Sequence, residues 1–458
     1  MTIIARHENN YSMELDWQTQ RDLELFQSSV SGQSIFEVLD RTRTMDGRRN
    51  LKERFRNPLS SLREIQETQQ VVDFISTVAL ETEFPFSQTD LDHFHLYLHS
   101  NFFLFKPGTG LFESLRAKWL CLRNQEYTSF IRQEPWIVIK FLRKVAIIYE
   151  QLDSDDCPQQ LRDDISFFRT IERVDGVKEL LQVSETTSLG SHHWIKWDYL
   201  FRKDLKNDLM SLHERLINLD ALLSMGKAVK ELGLVMPIFS DTNKPFVQIC
   251  GLYHPFVENP VTNDYEMTEN KNLLFLTGPN MAGKTTYMKA VTISLILAHV
   301  GMGVPATEMR LTLFSRFFCS LNAVDDIRER VSSFFSEIKR VKEVLEAMQK
   351  DGRVFAVFDE LFKGTNVKDA LDCSNAVIKG LAKWPRHAFL ISSHLLELHD
   401  LLAESAKIIF FHFDGETLED KIHFDYRLKP GVNSQRLGFR ILQQEGILQL
   451  LNEERPVQ

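Results

Sequence analysis

The sequence predicts two fold classes in one chain: an α/β domain, with a mostly parallel sheet covered by helices on both faces, preceded by an all-α domain. Two observations lead to this prediction. No proline occurs between Pro158 and Pro237, and this stretch carries a helical stripe of leucines. After Pro237, short apolar runs alternate with amphipathic stretches, as in parallel sheets with crossover helices. We therefore predict domains at 1–236 and 237–458.

Helical character extends through the first domain. Between 198 and 234, apolar positions recur mostly every three or four residues, which places them on one helical face. These positions are Phe201, Leu205, Leu209, Leu212, Leu216, Leu219, Leu222 and Leu223. Such a stripe is more often a packing face than a binding site, so we predict a long helical arm. Residues 15–75 are also rich in helix signals, whereas the aromatic-rich stretch 83–135 gives no clear pattern.

The second domain alternates two kinds of segment. Short apolar runs predict buried strands at 246–249, 273–276, 354–358, 388–391 and 408–411. The intervening amphipathic stretches predict helices at 284–299, 332–349, 367–382 and 395–402.

The composition is that of a globular protein. Of the 458 residues, 43% are hydrophobic and 26% are charged, which excludes disorder as the main state. No run approaches the ~18 apolar residues of a membrane span, and the first ten residues lack the apolar core of a signal peptide. Five well-separated cysteines, without a Cys-x-x-Cys pair, argue against a disulfide framework or a thiolate zinc site. We therefore expect a cytoplasmic protein.

The strongest motif lies at residues 278–285, GPNMAGKT, which has the form G-x-x-x-x-G-K-[ST]. It follows an apolar run and opens a predicted helix, the context that phosphate-binding loops require. Backbone N–H groups and the helix N-terminus would face a triphosphate. Lys284 would reach the β and γ phosphates, and Thr285 would ligate Mg²⁺. The alternative is a glycine-rich turn without a ligand. The context favours a site for ATP and Mg²⁺, with candidate nucleotide-binding residues Gly278, Pro279, Asn280, Met281, Ala282, Gly283, Lys284, Thr285 and Thr286.

Two other predicted strands end in polar side chains. The run 354–358 leads to Asp359 and Glu360. Beside a phosphate-binding loop, Asp359 can hold Mg²⁺ and Glu360 can take a proton from attacking water, although such a pair alone is commonly a solvated strand end. The run 388–391 leads to His394. This histidine could hydrogen-bond the γ-phosphate or the water, or be an ordinary loop or core histidine.

Together these motifs resemble the MutS family of DNA mismatch-repair ATPases. The similarity lies in residues 277–287 (TGPNMAGKTTY), 332–337 (SSFFSE), 359–365 (DELFKGT) and 392–398 (SSHLLEL). Weaker similarity covers 34–75 and the proline-free arm, which resemble the family's helical core and lever. The resemblance implies an α/β P-loop ATPase domain preceded by an all-α core and lever domain.

The resemblance also implies roles for single residues. ATP would be hydrolysed in a composite site of a homodimer, where Ser332 and Ser333 of one subunit complete the γ-phosphate site of the other. Glu360 would be the general base and His394 a γ-phosphate sensor, with Thr285 and Asp359 as metal ligands. Nucleotide state would then control binding to DNA, in repair or recombination. The two serines could also form a helix N-cap, a role compatible with the first.

The sequence also departs from the family pattern. Only 33 residues precede Ser34 in this sequence, so we expect it to carry neither the mismatch-reading nor the connector domain. Phe362-Lys363 replaces the family's Gly-Arg pair, Asn366-Val367 replaces its Ser-Thr, and Leu396 replaces a second histidine. We expect these changes to leave ATP binding intact, and they leave open whether mismatches are recognised and whether the subunits signal to each other.

Charge does not decide whether DNA is the partner. The chain has 54 Lys plus Arg and 63 Asp plus Glu, a net charge of −9, so contact with DNA would need a local basic patch. Residues 41–56 carry seven basic and two acidic residues, although such a segment is usually a solvated or salt-bridged helix face. The alternative function is a nucleotide-switched assembly protein that binds protein partners. A transporter-type ATPase is disfavoured because Leu-Ser-Gly-Gly does not occur.

Overall fold

The computed structural model describes residues 13–28, 32–78, 82–108, 113–184, 189–242, 244–321, 333–350, 352–418 and 421–433, together with residues 447 and 451. The described chain forms two compact units. The bounds of the sheet unit are Met1–Val38, Arg54–Gln66 and Leu232–Gln458, and those of the helical unit are Leu39–Glu53 and Glu67–Glu231. The domains expected at 1–236 and 237–458 stay a prediction, and the two units differ from them mainly in the N-terminal segments, which group with the sheet unit.

Twelve α-helices precede the first strand in the described residues. They are α1 (Trp17–Asp22), α2 (Ile35–Leu39), α3 (Met45–Arg56), α4 (Leu62–Val78), α5 (Gln88–Leu98), α6 (Glu113–Arg123), α7 (Gln125–Gln133), α8 (Pro135–Leu152), α9 (Gln159–Glu172), α10 (Val177–Gln182), α11 (Ser191–Tyr199) and α12 (Lys206–Leu232). A π-helix, Leu200–Asp204, separates α11 from α12.

The predicted helical arm is confirmed, with one irregularity. Helix α12 spans 27 residues, and the π-helix before it breaks the register of the arm. All eight apolar positions of the predicted stripe are buried. The stripe is therefore a packing face, as the sequence favoured.

The remaining elements belong to the sheet unit. The helices are α13 (Lys284–Val300), α14 (Ser333–Met348), α15 (Val367–Ala382) and α16 (Glu397–Leu402). The strands are β1 (Ile238–Phe239), β2 (Phe246–Leu252), β3 (Asn263–Thr268), β4 (Leu273–Thr277), β5 (Glu308–Leu311), β6 (Arg316–Ser320), β7 (Val354–Asp359), β8 (Ala388–Ser392), β9 (Ile408–His412), β10 (Gly415–Leu418), β11 (Lys421–Phe424) and β12 (Lys429–Pro430). All five predicted strands and all four predicted helices are present within a few residues of their predicted bounds.

A six-stranded sheet in the order β12-β9-β4-β8-β7-β6 forms the centre of this unit. The pairs β4–β8, β4–β9, β6–β7 and β7–β8 are parallel, and β12–β9 is antiparallel. Every residue of β4 and β8 is buried. Because parallel neighbours end at the same edge of a sheet, the segments that follow β4, β7 and β8 lie together. A four-stranded sheet, β1-β5-β2-β3, and the hairpin β10-β11 complete the unit, so the chain is a mixed α/β protein.

Helix α1 covers the outer side of β6, which is an edge strand of the large sheet. The N–H of Cys319 donates to the Thr19 hydroxyl at 2.9 Å, and the N–H of Leu321 donates to the Asp22 carboxylate at 2.9 Å. The buried Arg340 of α14 pairs with Asp16 at 3.0 Å. Side-chain acceptors thus satisfy backbone groups that an edge strand would otherwise expose. These bonds explain why the N-terminal segment groups with the sheet unit.

No helix in the described part of the chain combines the length and the apolar character that crossing a membrane requires.

Candidate functional site

The loop between β4 and α13 has a backbone that depends on glycine. Gly278 has φ +134°, and Gly283, directly before α13, has φ +104°; side chains rarely adopt either angle. A Cβ at Gly278 would also lie 2.6 Å from the carbonyl oxygen of Phe413. Met281, at φ +69°, is 81% exposed at the tip of the loop, and Ala282 is buried. The loop conformation therefore requires the glycines that the motif supplies.

Lys284 begins α13 and turns its amine back into the loop. Its Nζ donates to the carbonyl oxygens of Gly278 at 2.8 Å and Pro279 at 3.0 Å. The residue is 5% exposed, and burial lowers the pKa of its ammonium below the ordinary value. The carboxylates of Asp359 and Glu360 oppose this shift only in part. A buried ammonium hydrogen-bonded to neutral carbonyls would interact more favourably with an anion.

Thr285 and Asp359 lie side by side, although 74 positions separate them in the sequence. The Thr285 hydroxyl donates to Asp359 Oδ2 at 2.8 Å. The hydroxyl of Ser392, at the end of β8, donates to the other oxygen, Oδ1. The sheet topology thus brings the two predicted metal ligands together, although β8 lies between β4, which precedes the loop and helix of Thr285, and β7, which ends at Asp359.

Glu360 and His394 also meet at this edge of the sheet. His394 Nε2 lies 2.6 Å from Glu360 Oε1, and this hydrogen bond lowers the pKa of the Glu360 carboxyl below its usual range. The Nζ of Lys363 lies 3.9 Å from the other carboxylate oxygen. Glu360 is therefore an ionised carboxylate, oriented by a histidine.

A cavity of about 550 Å³ joins these groups. Most of the predicted loop residues line it: Pro279, Asn280, Met281, Gly283, Lys284, Thr285 and Thr286, together with Asp359 and Glu360. The opposite wall comes from residues 252–263 and from Tyr426. The cavity thus runs from the charged loop to a wall with aromatic side chains.

The sequence prediction missed this opposite wall. Tyr253 and His254 line the cavity, and burial lowers the pKa of His254 to about 4, so its ring is neutral at pH 7. The Nδ2 of Asn263 donates to the Tyr426 carbonyl at 2.9 Å, which ties two distant segments of the wall together. The segment Tyr253-His254-Pro255 was available as a family-like signal, whereas nothing in the sequence linked Tyr426 to the loop.

The structure does not test the two predicted serines. Ser332 lies outside the described residues, and so does the side chain of Ser333, the residue at which α14 begins. Their roles stay predictions from the resemblance.

Four arginines of the predicted basic segment, 41–56, are ion-paired within the helical unit. Arg41 pairs with Glu231 at 2.5 Å, and Arg43 pairs with Glu83 at 2.9 Å. Arg48 and Arg49 pair with nearby aspartates at 3.3 and 3.0 Å. This arrangement matches the salt-bridged face that the sequence left open as an alternative.

The described residues hold no group of three or more His, Cys, Asp or Glu side chains that could bind a metal ion by itself. A cation at Thr285 and Asp359 would therefore need further oxygen ligands from a bound molecule. This is the usual arrangement for Mg²⁺, which is held by one or two carboxylates plus substrate phosphates and waters.

The fold and the site define a class of protein. It is a mixed α/β protein in which a glycine-dependent loop between a strand and a helix lies beside two acidic residues, Asp359 and Glu360, at the end of another strand. The family model of MutS domain V matches residues 274–453, and that of MutS domain III matches residues 18–101, together more than half of the chain. The chain is 29% identical over 255 residues to a DNA mismatch repair protein MutS of Lactobacillus johnsonii, covering 54% of this chain and 29% of that protein. It is 31% identical over 235 residues to that of Natronomonas pharaonis, covering 48% of this chain and 27% of that protein.

The chain belongs to the MutS family, with matches to two of the family's domains. It spans less than a third of the length of these relatives. The resemblance read from the motifs is thereby confirmed.

Proposed function

We propose that the sheet unit is a P-loop ATPase that binds ATP with Mg²⁺ and hydrolyses it. The observation that carries this proposal is the convergence of three groups on one cavity: the buried ammonium of Lys284, the pair Thr285–Asp359 and the carboxylate of Glu360, which His394 contacts from outside the lining. Amines, hard oxygen ligands and an ionised carboxylate are the parts that phosphoryl transfer to water requires. The matches to the MutS family support the same activity.

The residues present fit a magnesium ion. Thr285 and Asp359 offer a hydroxyl and a carboxylate oxygen 2.8 Å apart, and both are donors that Mg²⁺ prefers. When bound, the ion would supply positive charge to the β and γ phosphates. Ser392 would keep the Asp359 carboxylate oriented through its second oxygen.

The other residues of the site would have separate roles in binding and hydrolysing ATP. The amine of Lys284 would exchange the carbonyls of Gly278 and Pro279 for phosphate oxygens. Glu360, whose carboxylate is oriented by the hydrogen bond to His394, would accept a proton from water as the water attacks the γ-phosphorus. The wall formed by residues 252–263 and Tyr426 would face the base and sugar.

We also propose that the site is completed by a second copy of the chain through Ser332 and Ser333. A mixing experiment tests this. Lys284→Ala and the double variant Ser332→Ala/Ser333→Ala should each be inactive alone, because one lacks nucleotide and the other lacks the trans contact. In a 1:1 mixture, half of the dimers would hold one intact composite site, so ATP turnover should recover to about a quarter of the wild-type value for a two-fold dimer. Turnover that stays at the level of the separate variants would contradict a composite site.

We further propose that the helical unit binds DNA under control of the nucleotide, since the family matches carry the name DNA mismatch repair. Filter binding of duplex, mismatched and branched DNA, with and without ATP, measures this. Affinity should fall with salt with a log–log slope of about −0.9 for each phosphate contact. Arg49→Ala should make the slope shallower by about 0.9, the value of one phosphate contact. Lys379→Ala, on the exposed face of α15, should leave the slope unchanged.

The second candidate function is a nucleotide-switched assembly protein. The ion-paired basic segment and the net charge of −9 favour it. Failure to bind any of the three DNA structures in either nucleotide state, with ATP binding intact, would support this candidate over DNA binding.

A further inference from the structure

The turn that follows β7 has an unusual backbone. Glu360 has φ +57° and Phe362 has φ +63°, and neither is glycine. Side chains other than those of Asn and Asp seldom occupy this left-handed region, because Cβ approaches the following carbonyl oxygen. A turn of this kind persists only where neighbouring groups hold it. Since it carries the carboxylate proposed as general base, the groups that hold it determine where that carboxylate points.

Three separate elements hold the turn. The N–H of Glu360 donates to the carbonyl of Ser392, in β8, at 3.1 Å. The hydroxyl of Ser374, in α15, donates to the Leu361 carbonyl at 3.2 Å. The N–H of Phe362 donates to Oε2 of Glu337, in α14. Of these three bonds, only the last has a side chain as the acceptor.

Glu337 is a carboxyl group placed in the core. It is 8% exposed, and burial raises the pKa of its carboxyl. Among the described residues, its second oxygen, Oε1, has no hydrogen-bond partner. A leucine would occupy this position without the cost of burying a polar group. What the carboxyl supplies is therefore the acceptor for the N–H of Phe362.

Helix α14 contacts the same turn a second time. The ring of Phe334 packs edge-on against the ring of Phe362, with ring centroids 5.8 Å apart. Phe334 and Glu337 are three positions apart, so they lie on one face of the helix. Two side chains in the first turns of α14 thus contact one residue of the turn, Phe362.

We propose that Glu337 is a positioning residue, which fixes the direction of Glu360 by holding Phe362 and so couples α14 to the hydrolytic carboxylate. This inference rests on the proposed function, in which Glu360 accepts the proton. Because α14 begins at Ser333, a contact made there by a partner's nucleotide would act on the helix that holds the turn. Glu337 itself does not touch the reacting groups.

Three variants test the inference. Glu337→Leu removes the acceptor and should lower kcat about 10- to 100-fold, the effect of misplacing a catalytic group by about 1 Å. The dissociation constant for ATP should stay within about twofold, because the loop at 278–285 is unchanged. Glu337→Gln keeps an acceptor oxygen and should retain wild-type kcat. Glu346→Gln, on the exposed side of α14, is the matched control.

The readouts separate positioning from folding. The leucine variant leaves the buried N–H of Phe362 without its acceptor, so its unfolding temperature should fall by only a few degrees, while its kcat falls far more than its affinity for ATP. A merely structural role would lower the affinity for ATP together with kcat. A wild-type kcat in Glu337→Leu overturns the inference, and so does an equal loss in Glu337→Gln. If the leucine variant does not fold, Glu337→Ala tests the same loss of kcat at unchanged affinity for ATP. In the wild-type chain the amide of Phe362 should exchange slowly with solvent, and rapid exchange also overturns the inference.

The proposed function and this inference can fail separately. If Glu360→Gln hydrolyses ATP as fast as wild type, the proposed general base is wrong. If Glu360→Gln stalls while Glu337→Leu turns over normally, only the positioning role is wrong.

Discussion

Replacing Lys284 with alanine is expected to weaken ATP binding by roughly 30-fold to several thousandfold, which corresponds to ~2–5 kcal/mol for a buried charged group that loses its partner. Lys284 is 5% exposed, and among the described residues its amine donates to two loop carbonyls, those of Gly278 and Pro279. Bound phosphates would offer this buried cation its first anionic ligands in the loop. Equilibrium dialysis of labelled ATP in the presence of Mg²⁺ measures the change.

Two further variants sharpen this prediction. Lys284→Met keeps the length of the side chain without its charge, and should bind ATP as weakly as the alanine variant if charge is the cause. Lys379→Ala, on the exposed face of α15, should bind like wild type. The thermal stability of the nucleotide-free protein should change little, since a buried ammonium paired with neutral carbonyls contributes little to folding. Unaltered ATP affinity in both Lys284 variants would remove the loop from nucleotide binding.

The parts of the site that could be predicted from sequence lie at the ends of fully buried strands. Strands β4, β7 and β8 are apolar along almost their whole length, so each is visible as an uninterrupted run. The polar residues that follow them then stand out, and parallel pairing brings those ends together. This is why Thr285, Asp359, Glu360 and His394 could be grouped before any coordinates were known.

The parts that could not be predicted depend on bonds between distant segments. Glu337 follows the polar pattern of an amphipathic helix, and its partner Phe362 lies 25 positions later. The bond from Cys319 to Thr19 spans 300 positions, so local periodicity could show α1 as a helix but not that it covers β6. Short, half-polar strands such as β3 and β5 give no run long enough to separate them from loops.

The structure explains how the chain accommodates phenylalanine at position 362, where it departs from the family pattern. The sequence has Phe362 where the family pattern has glycine, and the backbone there adopts φ +63°, a conformation that favours glycine. The ring contact with Phe334 and the bond to Glu337 compensate for that preference. The substitution therefore does not remove the turn, and it ties the turn more closely to α14.

Replacing Glu360 with glutamine is expected to lower the rate of ATP hydrolysis about 10²- to 10⁴-fold, the range attributed to a general base, while ATP still binds. Glutamine has the same shape and can keep a hydrogen bond to His394, so the turn after β7 should persist. What it loses is the ability to accept a proton from water. Rapid-quench measurement of a single turnover separates the chemical step from product release, and dialysis measures binding on the same samples.

The matched control is Glu397→Gln, an exposed glutamate at the start of α16, which should hydrolyse ATP at the wild-type rate. His394→Ala is a second test, because it removes the hydrogen bond that orients the Glu360 carboxylate and lowers the pKa of its carboxyl. Its loss of rate should be smaller than that of Glu360→Gln, and combining the two variants should add little, since both act through one carboxylate. Independent, multiplying losses would mean that His394 acts on the phosphate directly, and a normal rate in Glu360→Gln would require another base.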